Sequence, residues 1–263
     1  MITKKLIQKC LFLGICVASP LSFAAAPHFT YEEQAIWGDL LNTDPNALGA
    51  ASLPYAVCGI GGKQSPVNIT THNVNLNLNA PATSYVAVPL SLTNNGHTIR
   101  VNMPATSNPN YLLIAKERYE LLQLHFHAGS EHTVNGVQAP LEVHFVHATP
   151  EGKLAVIGVL VVAGTANAEF EKVLVNAPTL AGTTTTTTLS INPNKLQPAG
   201  KTFDGYAGSL TTPPCTEGVD WFVMRSTITA SADQLARFAT LYYADNARLP
   251  QAFNGRITQT LNP

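Results

Sequence analysis

Leu121-Leu122-Gln123-Leu124-His125-Phe126-His127 sets polar side chains at every second position, and Leu141-Glu142-Val143-His144-Phe145-Val146-His147 repeats the pattern. A period of two belongs to a strand with unlike faces. Gln123, His125 and His127 therefore share one face, and Glu142, His144 and Val146 share one face of the second strand. Gly129, Asn135-Gly136 and Pro140 lie between the two runs, which is turn chemistry. Antiparallel pairing would bring three imidazoles to one point.

Working outward, Leu154 to Val162 reads as a fully buried strand and Trp221 to Arg225 as another. The low-complexity run Thr183 to Thr188 is β-branched and suits an exposed strand. Helical signal is thin. Ser231 is a good N-cap for one short helix running to Tyr242. No linker or repeat divides residues 27–263. The expected fold is mostly β (α+β), a single domain.

Apolar residues make up 45% of the 263 and charged residues only 12%, enough for a packed core and too little charge for a disordered chain. A net charge of −1 offers no basic field for phosphates, which argues against nucleic acid as a partner. Residues 1–26 read as a signal peptide: Lys4, Lys5 and Lys9, a short apolar core from Leu11 to Val17, then small residues up to Ala26. An N-terminal amphipathic helix is the alternative. No later stretch reaches the 18 or so apolar residues of a membrane span. Export predicts a periplasmic protein, with full secretion the other outcome. Removing the leader leaves 12 basic against 16 acidic residues, and two cysteines, Cys58 and Cys215. In an oxidising compartment these are expected to form one disulfide, with buried free thiols as the alternative.

Three neutral imidazoles make a tetrahedral zinc site with one position open. They leave the full charge on the metal, which depresses the pKa of bound water towards ~7. Gln123 and Glu142 stand two residues before His125 and His144 on the same faces, where they can accept the outer N–H of each ligand and fix its tautomer. Spacing alone leaves an ordinary pair of strand histidines as the alternative.

Longer segments resolve that choice. His125-Phe126-His127-Ala128-Gly129-Ser130-Glu131-His132, Glu142 to His147, Gly208-Ser209-Leu210-Thr211-Thr212-Pro213-Pro214-Cys215, Gln64 to Ile69 and Asn94-Asn95-Gly96-His97 resemble the α-class carbonic anhydrases, in order and at matching distances. The resemblance implies a large twisted, mainly antiparallel central sheet with short peripheral helices. It implies Zn2+ held by His125, His127 and His144, and reversible hydration of CO2 to bicarbonate by a zinc-bound hydroxide. In that likeness Thr211 accepts a hydrogen bond from the hydroxide and gives its own proton to Glu131, a carboxylate that can only accept. His97 matches the proton-shuttle histidine, expected at a solvent-facing turn with a pKa near ~6.5. Val146, Val156, Leu210 and Trp221 match the apolar wall for CO2, and Thr212 a position at the pocket mouth. His132 and Tyr206 match structural hydrogen-bonding positions. Cys58 and Cys215 match the disulfide of exported bacterial members, which are often homodimers.

The departures are Ala128 and Ala148 where tryptophans are frequent, and Arg100 where an amide is common. Trp37-Gly38-Asp39 lacks the tyrosine that orders pocket water in many relatives, so that residue is absent or comes from elsewhere. His28, His72 and His147 read as incidental. Weak esterase activity is also expected. The rival readings are a catalytically silent binding module of the same fold, which would typically lack a ligand histidine, and another zinc hydrolase, for which no His-Glu-x-x-His is present.

Overall fold

The structure, a computed structural model, describes residues 28–40, 53–70, 73–74, 80–104, 109–241 and 246–261. The expected leader, His72 and Tyr242 lie outside the described residues. The strands are β1 (Asn68–Ile69), β2 (Asn73–Val74), β3 (Ala82–Ser84), β4 (Val88–Asn94), β5 (Ile99–Asn102), β6 (Tyr111–Ile114), β7 (Glu117–Ala128), β8 (Thr133–Val134), β9 (Val137–Gln138), β10 (Leu141–Ala148), β11 (Leu154–Ala163), β12 (Thr183–Ile191), β13 (Phe203–Ser209), β14 (Glu217–Met224), β15 (Ile228–Ala230) and β16 (Gln259–Leu261). Helices α1 (Ala56–Ile60), α2 (Ala168–Asn176) and α3 (Ala232–Leu241) sit between them.

One large sheet runs in the order β12-β4-β5-β7-β10-β11-β14-β13-β16-β2, with β6 against β7, β3 against β6 and β15 against β11. Its pairings are antiparallel except β11 with β14 and β15, and β16 with β2. The expected architecture is therefore present, as a mixed sheet in its central part. The near-continuous apolar run of β11 follows from that position, between β10 and β14 with both faces covered. The threonine run forms β12, the edge of the order, paired only with β4.

The two patterned runs are β7 and β10, and they do pair antiparallel. His144 lies opposite His125, Glu142 opposite His127 and Val146 opposite Gln123, before a bulge at Val146/His147. Alternation sends the residues between them to the other face. Leu124, Phe126, Val143 and Phe145 are buried there in the main core, each worth ~1.5–3 kcal/mol relative to exposure. Phe126 meets Phe170 of α2 and Phe238 of α3 at ring-centroid distances of 5.2 and 5.7 Å. The helices thus brace the back of the strand that carries two of the three histidines.

Helix α2 was not expected, although Phe170, Val173 and Leu174 have helical spacing and are buried. Asn167 caps it, its Oδ1 accepting from the N–H groups of Glu169 and Phe170. Ser231 caps α3 as expected, and Gln234 completes a reciprocal box with the Ser231 N–H. The same Gln234 side chain donates to Asn167 O, joining the two helix starts.

His147 is not incidental. It is fully buried, its Nδ1 donates to Ala155 O at 3.2 Å, and its Nε2 therefore accepts from Tyr85 Oη at 2.6 Å. Burial drops its pKa from 6.5 to about 3. The unfolded chain thus takes up a proton between those values that the folded chain refuses. Stability should fall with pH from 6.5 towards 3, by roughly 1.4 kcal/mol per pH unit from this group. Urea melts of the wild type and His147→Gln between pH 7 and 4 check this: the variant's pH slope should be shallower, and parallel slopes would contradict the assignment.

Candidate active site

The register places His125, His127 and His144 on one face, with ring centroids 4.9, 5.1 and 4.5 Å apart. One nitrogen or more of each comes within 4.8 Å of the others. Each ring is also held from outside. His125 Nδ1 donates to Gln123 Oε1 at 3.0 Å, and His144 Nε2 to Glu142 Oε1 at 2.9 Å, as the spacing predicts. His127 Nδ1 donates to the backbone oxygen of Asn246 at 2.6 Å, a partner that sequence reasoning did not find. These bonds leave Nε2 of His125, Nε2 of His127 and Nδ1 of His144 to face one another. His127 Nε2 is buried with no hydrogen-bond partner. An unsatisfied buried nitrogen is costly, and in a three-imidazole donor set it suits a divalent zinc ion.

Electrostatics agree with neutral outer ligands. Burial holds His125 well below the ordinary imidazole range, helped by the other two histidines, and burial also lowers His127. His144 is the exception: burial pushes it down, but Glu142 overrides that and raises it. Burial likewise opposes charge on Glu142, yet His132 and His144 keep it ionised, well below the usual carboxylate range. Glu142 accepts from His132 Nδ1 at 2.8 Å and from the His132 N–H at 2.9 Å. His132 Nε2 lies 2.6 Å from Tyr206 Oη, which lies 3.0 Å from Ser65 Oγ. Ser65 Oγ accepts from Ser209 N–H, two residues before Thr211. A buried chain of hydrogen bonds thus links the third histidine to the segment after β13. It needs Gly158 opposite His144, because a Cβ there would come within 2.7 Å of Glu142 Oε1.

Glu131 is fully buried, its oxygens 3.5 Å from His127 Nδ1 and 3.7 Å from His144 Nδ1. Its Oε1 accepts from the Arg248 N–H at 2.9 Å. Its Oε2 has no hydrogen-bond partner, so the bond expected from Thr211 is not formed in this structure. Thr211 is nonetheless buried in the loop beside the site.

Val146, Val156, Leu210 and Trp221 meet in one apolar cluster. Register explains it: Val146 faces Val156, and Val156 faces Trp221, one step along from the histidines. The Trp221 ring stands edge-on to His144 at 4.8 Å. A cavity of about 240 Å³ is bounded by His125, His127, His97, Arg100, Tyr31 and Thr212 among others. Tyr31 comes from the segment before Trp37, so an aromatic hydroxyl reaches this cavity from eight residues before Asp39. Burial, then the charge of Glu131, raises the Tyr31 pKa and keeps it a hydroxyl donor.

His97 follows a turn built by Asn95, whose Oδ1 accepts from the N–H groups of His97 and Thr98. It is half-buried, not freely exposed. Its ring stacks on Phe29 at 4.1 Å and lies 6.1 Å from His28. Burial, then His28, lowers its pKa below 6.5. His28 therefore belongs to the site's surroundings.

Cys58 and Cys215 form the disulfide. Arg248 is packed beside it, Nη2 donating to Cys58 O and Nη1 to Ser65 O and Gln64 Oε1. Gln64 Nε2 donates to Cys215 O. The arginine that supports Glu131 through its backbone thus reaches the disulfide through its side chain. No helix among the described residues is long and apolar enough to cross a membrane.

The chain is similar to known proteins along most of its length. The carbonic anhydrase of Klebsiella pneumoniae is 36% identical over 232 residues, covering 88% of this chain and 90% of that protein. The α-carbonic anhydrase from Thermovibrio ammonificans, solved with the inhibitor sulfanilamide, superposes with a TM-score of 0.79 at 37% identity, over 90% of this chain and 99% of that one. Dioscorin, solved with ascorbate, superposes with a TM-score of 0.74 at 30% identity, over 87% of this chain and 93% of that one. The family model for eukaryotic-type carbonic anhydrase matches residues 50–263, a span that includes all three histidines, Glu131, Thr211 and both cysteines. With sequence, sheet and site in agreement over that span, the chain belongs to the eukaryotic-type (α-class) carbonic anhydrase family.

Proposed function

We propose that this chain is a zinc-dependent carbonic anhydrase, exported to the periplasm, that interconverts CO2 and bicarbonate and hydrolyses activated esters weakly. The observation that carries the proposal is the set of three imidazoles whose outer nitrogens already have acceptors and whose inner nitrogens face one buried point. His125, His127 and His144 would hold the metal, with Gln123, the Asn246 carbonyl and Glu142 fixing their tautomers. Zinc, when bound, supplies a Lewis acid that makes a water nucleophilic near neutral pH. The disulfide supports an oxidising compartment.

The chain's own residues do the rest. The wall of Val146, Val156, Leu210 and Trp221 offers CO2, which has no net charge, an apolar surface beside the ligands. Glu131 Oε2 is a buried acceptor awaiting a donor. The Thr211 hydroxyl is the group to supply it, and in doing so turns its lone pairs towards the metal side. Thr212 and Tyr31 line the same cavity as His125, His127 and His97. His97 carries a proton between cleft and buffer. Its lowered pKa makes it a weaker base than free imidazole and quick to release that proton.

Stopped-flow CO2 hydration, with and without a zinc chelator, tests the reading: activity should vanish with chelation and return with zinc. His97→Ala should lower the rate in dilute buffer by roughly ten- to a hundredfold, and added imidazole should restore it. The His97-dependent part needs the neutral ring. It should be lost as pH falls through a value below 6.5. A wild-type protein that is inactive when zinc-loaded would overturn the proposal.

A further inference from the structure

The face that carries the histidines continues across three more strands. In one row His125 lies opposite Arg100, Arg100 opposite Thr93, and Thr93 opposite Thr184. In the next, Gln123 lies opposite Asn102, and Ser91 opposite Thr186. Asn102 ties the rows together: its Nδ2 donates to Thr93 Oγ1 at 2.9 Å and to Ser91 Oγ at 3.3 Å, and its Oδ1 accepts from Arg100 Nε at 2.9 Å. The hydroxyls of Thr93 and Thr184 are 2.8 Å apart. A shelf of amides and hydroxyls therefore runs from the metal ligands to the sheet edge, with one cation set into it.

That cation has no acidic partner among the described residues. Arg100 is anchored through Nε on Asn102, and neither Nη takes part in a hydrogen bond or ion pair with a described residue. No carboxylate lines the cavity it shares with His125 and His127. The acids Glu131 and Glu142 are fully buried, Glu131 Oε1 accepting from the Arg248 N–H and Glu142 Oε1 from His144. Anchoring at Nε leaves the Nη1/Nη2 edge of the fork, whose spacing fits the two oxygens of a planar carboxylate. An unpaired positive charge in a small cleft raises the local concentration of anions.

We propose that Arg100, with the Thr93–Asn102 shelf, is an anion subsite beside the metal centre that takes a planar carboxylate-type monoanion. In the carbonic anhydrase reading, on which this rests, that anion is bicarbonate, held on arrival for dehydration and on departure after hydration. CO2 has no charge to offer the fork, so the subsite acts on KM for bicarbonate and leaves KM for CO2 nearly alone, with kcat adjusting so that the overall equilibrium is unchanged.

Two measurements on the zinc-loaded protein test it. Arg100→Gln should raise KM for bicarbonate in the dehydration direction roughly three- to tenfold, with a much smaller change in KM for CO2. In the wild type, labelling of Arg100 by phenylglyoxal, mapped by peptide mass and normalised to Arg225, should be slowed by acetate more than by chloride at equal ionic strength. Equal labelling with and without acetate, or an unmoved KM for bicarbonate, would overturn the subsite. Absence of CO2 turnover in the wild type would instead overturn the carbonic anhydrase reading, and the labelling would still decide whether the fork binds anions.

Discussion

Alanine at position 127 is expected to empty the metal centre and to lower CO2 hydration by at least about a thousandfold, a loss of roughly 4 kcal/mol in transition-state stabilisation. The reasoning is geometric. His127 supplies the buried inner nitrogen without a protein partner, and two imidazoles cannot complete the three-nitrogen set. Metal analysis after dialysis should find little zinc in the variant, while circular dichroism stays that of the wild type, because the back of β7 still rests on Phe170 and Phe238. Gln123→Ala provides the graded comparison. It removes only the outer acceptor of His125, so zinc affinity should fall by about 10–100-fold with most activity kept at saturating metal. Full zinc occupancy and undiminished turnover in His127→Ala would contradict the assigned ligand set.

The second large effect concerns the disulfide. It joins residues 157 positions apart, and the chain-entropy model gives a loop of that length ~5 kcal/mol of stabilisation. Cys58→Ser or Cys215→Ser should therefore lower Tm by about 10 °C or more, and the wild type under reductant should melt like the variants. Activity should decline at temperatures where the variants are still folded. Cys215 lies four residues after Thr211, and its carbonyl is held by Gln64, which Arg248 also bonds. Unchanged melting in both the variants and the reduced wild type would refute this.

The cluster of three histidines was legible because it depends on a local rule. Alternation along β7 and β10 decides which side chains share a face, and the pairing of these two strands across a turn-rich connection does the rest. The outer acceptors Gln123 and Glu142 were legible for the same reason, being two residues from their ligands. Asn246 was not, because it reaches His127 from 119 residues away and uses a backbone oxygen, which carries no residue signature. Tyr31 was not legible because the cluster His28-Phe29-Thr30-Tyr31 has no period to place it. His147 was misjudged although alternation along β10 puts it with Val143 and Phe145 on the core face, because its partners, Tyr85 and the Ala155 carbonyl, carry no motif near it in the sequence. Helix α2 was overlooked although its cap and apolar spacing were present. A helix of nine residues repeats that spacing over only about two turns, a weak signal beside the ten-residue apolar strand before it.

Asn246 has a further implication. Its side chain accepts from the Ala128 N–H and donates to the carbonyls of His97 and Phe126, while its own carbonyl orients His127. A single residue thus clasps the turn of His97 and the strand of His125 and His127 at once. The His127 ring is therefore held in place only once the segment carrying Asn246 has docked on β7, so the mutual order of the three imidazoles depends on a long-range closure of the fold and not on the two patterned strands alone.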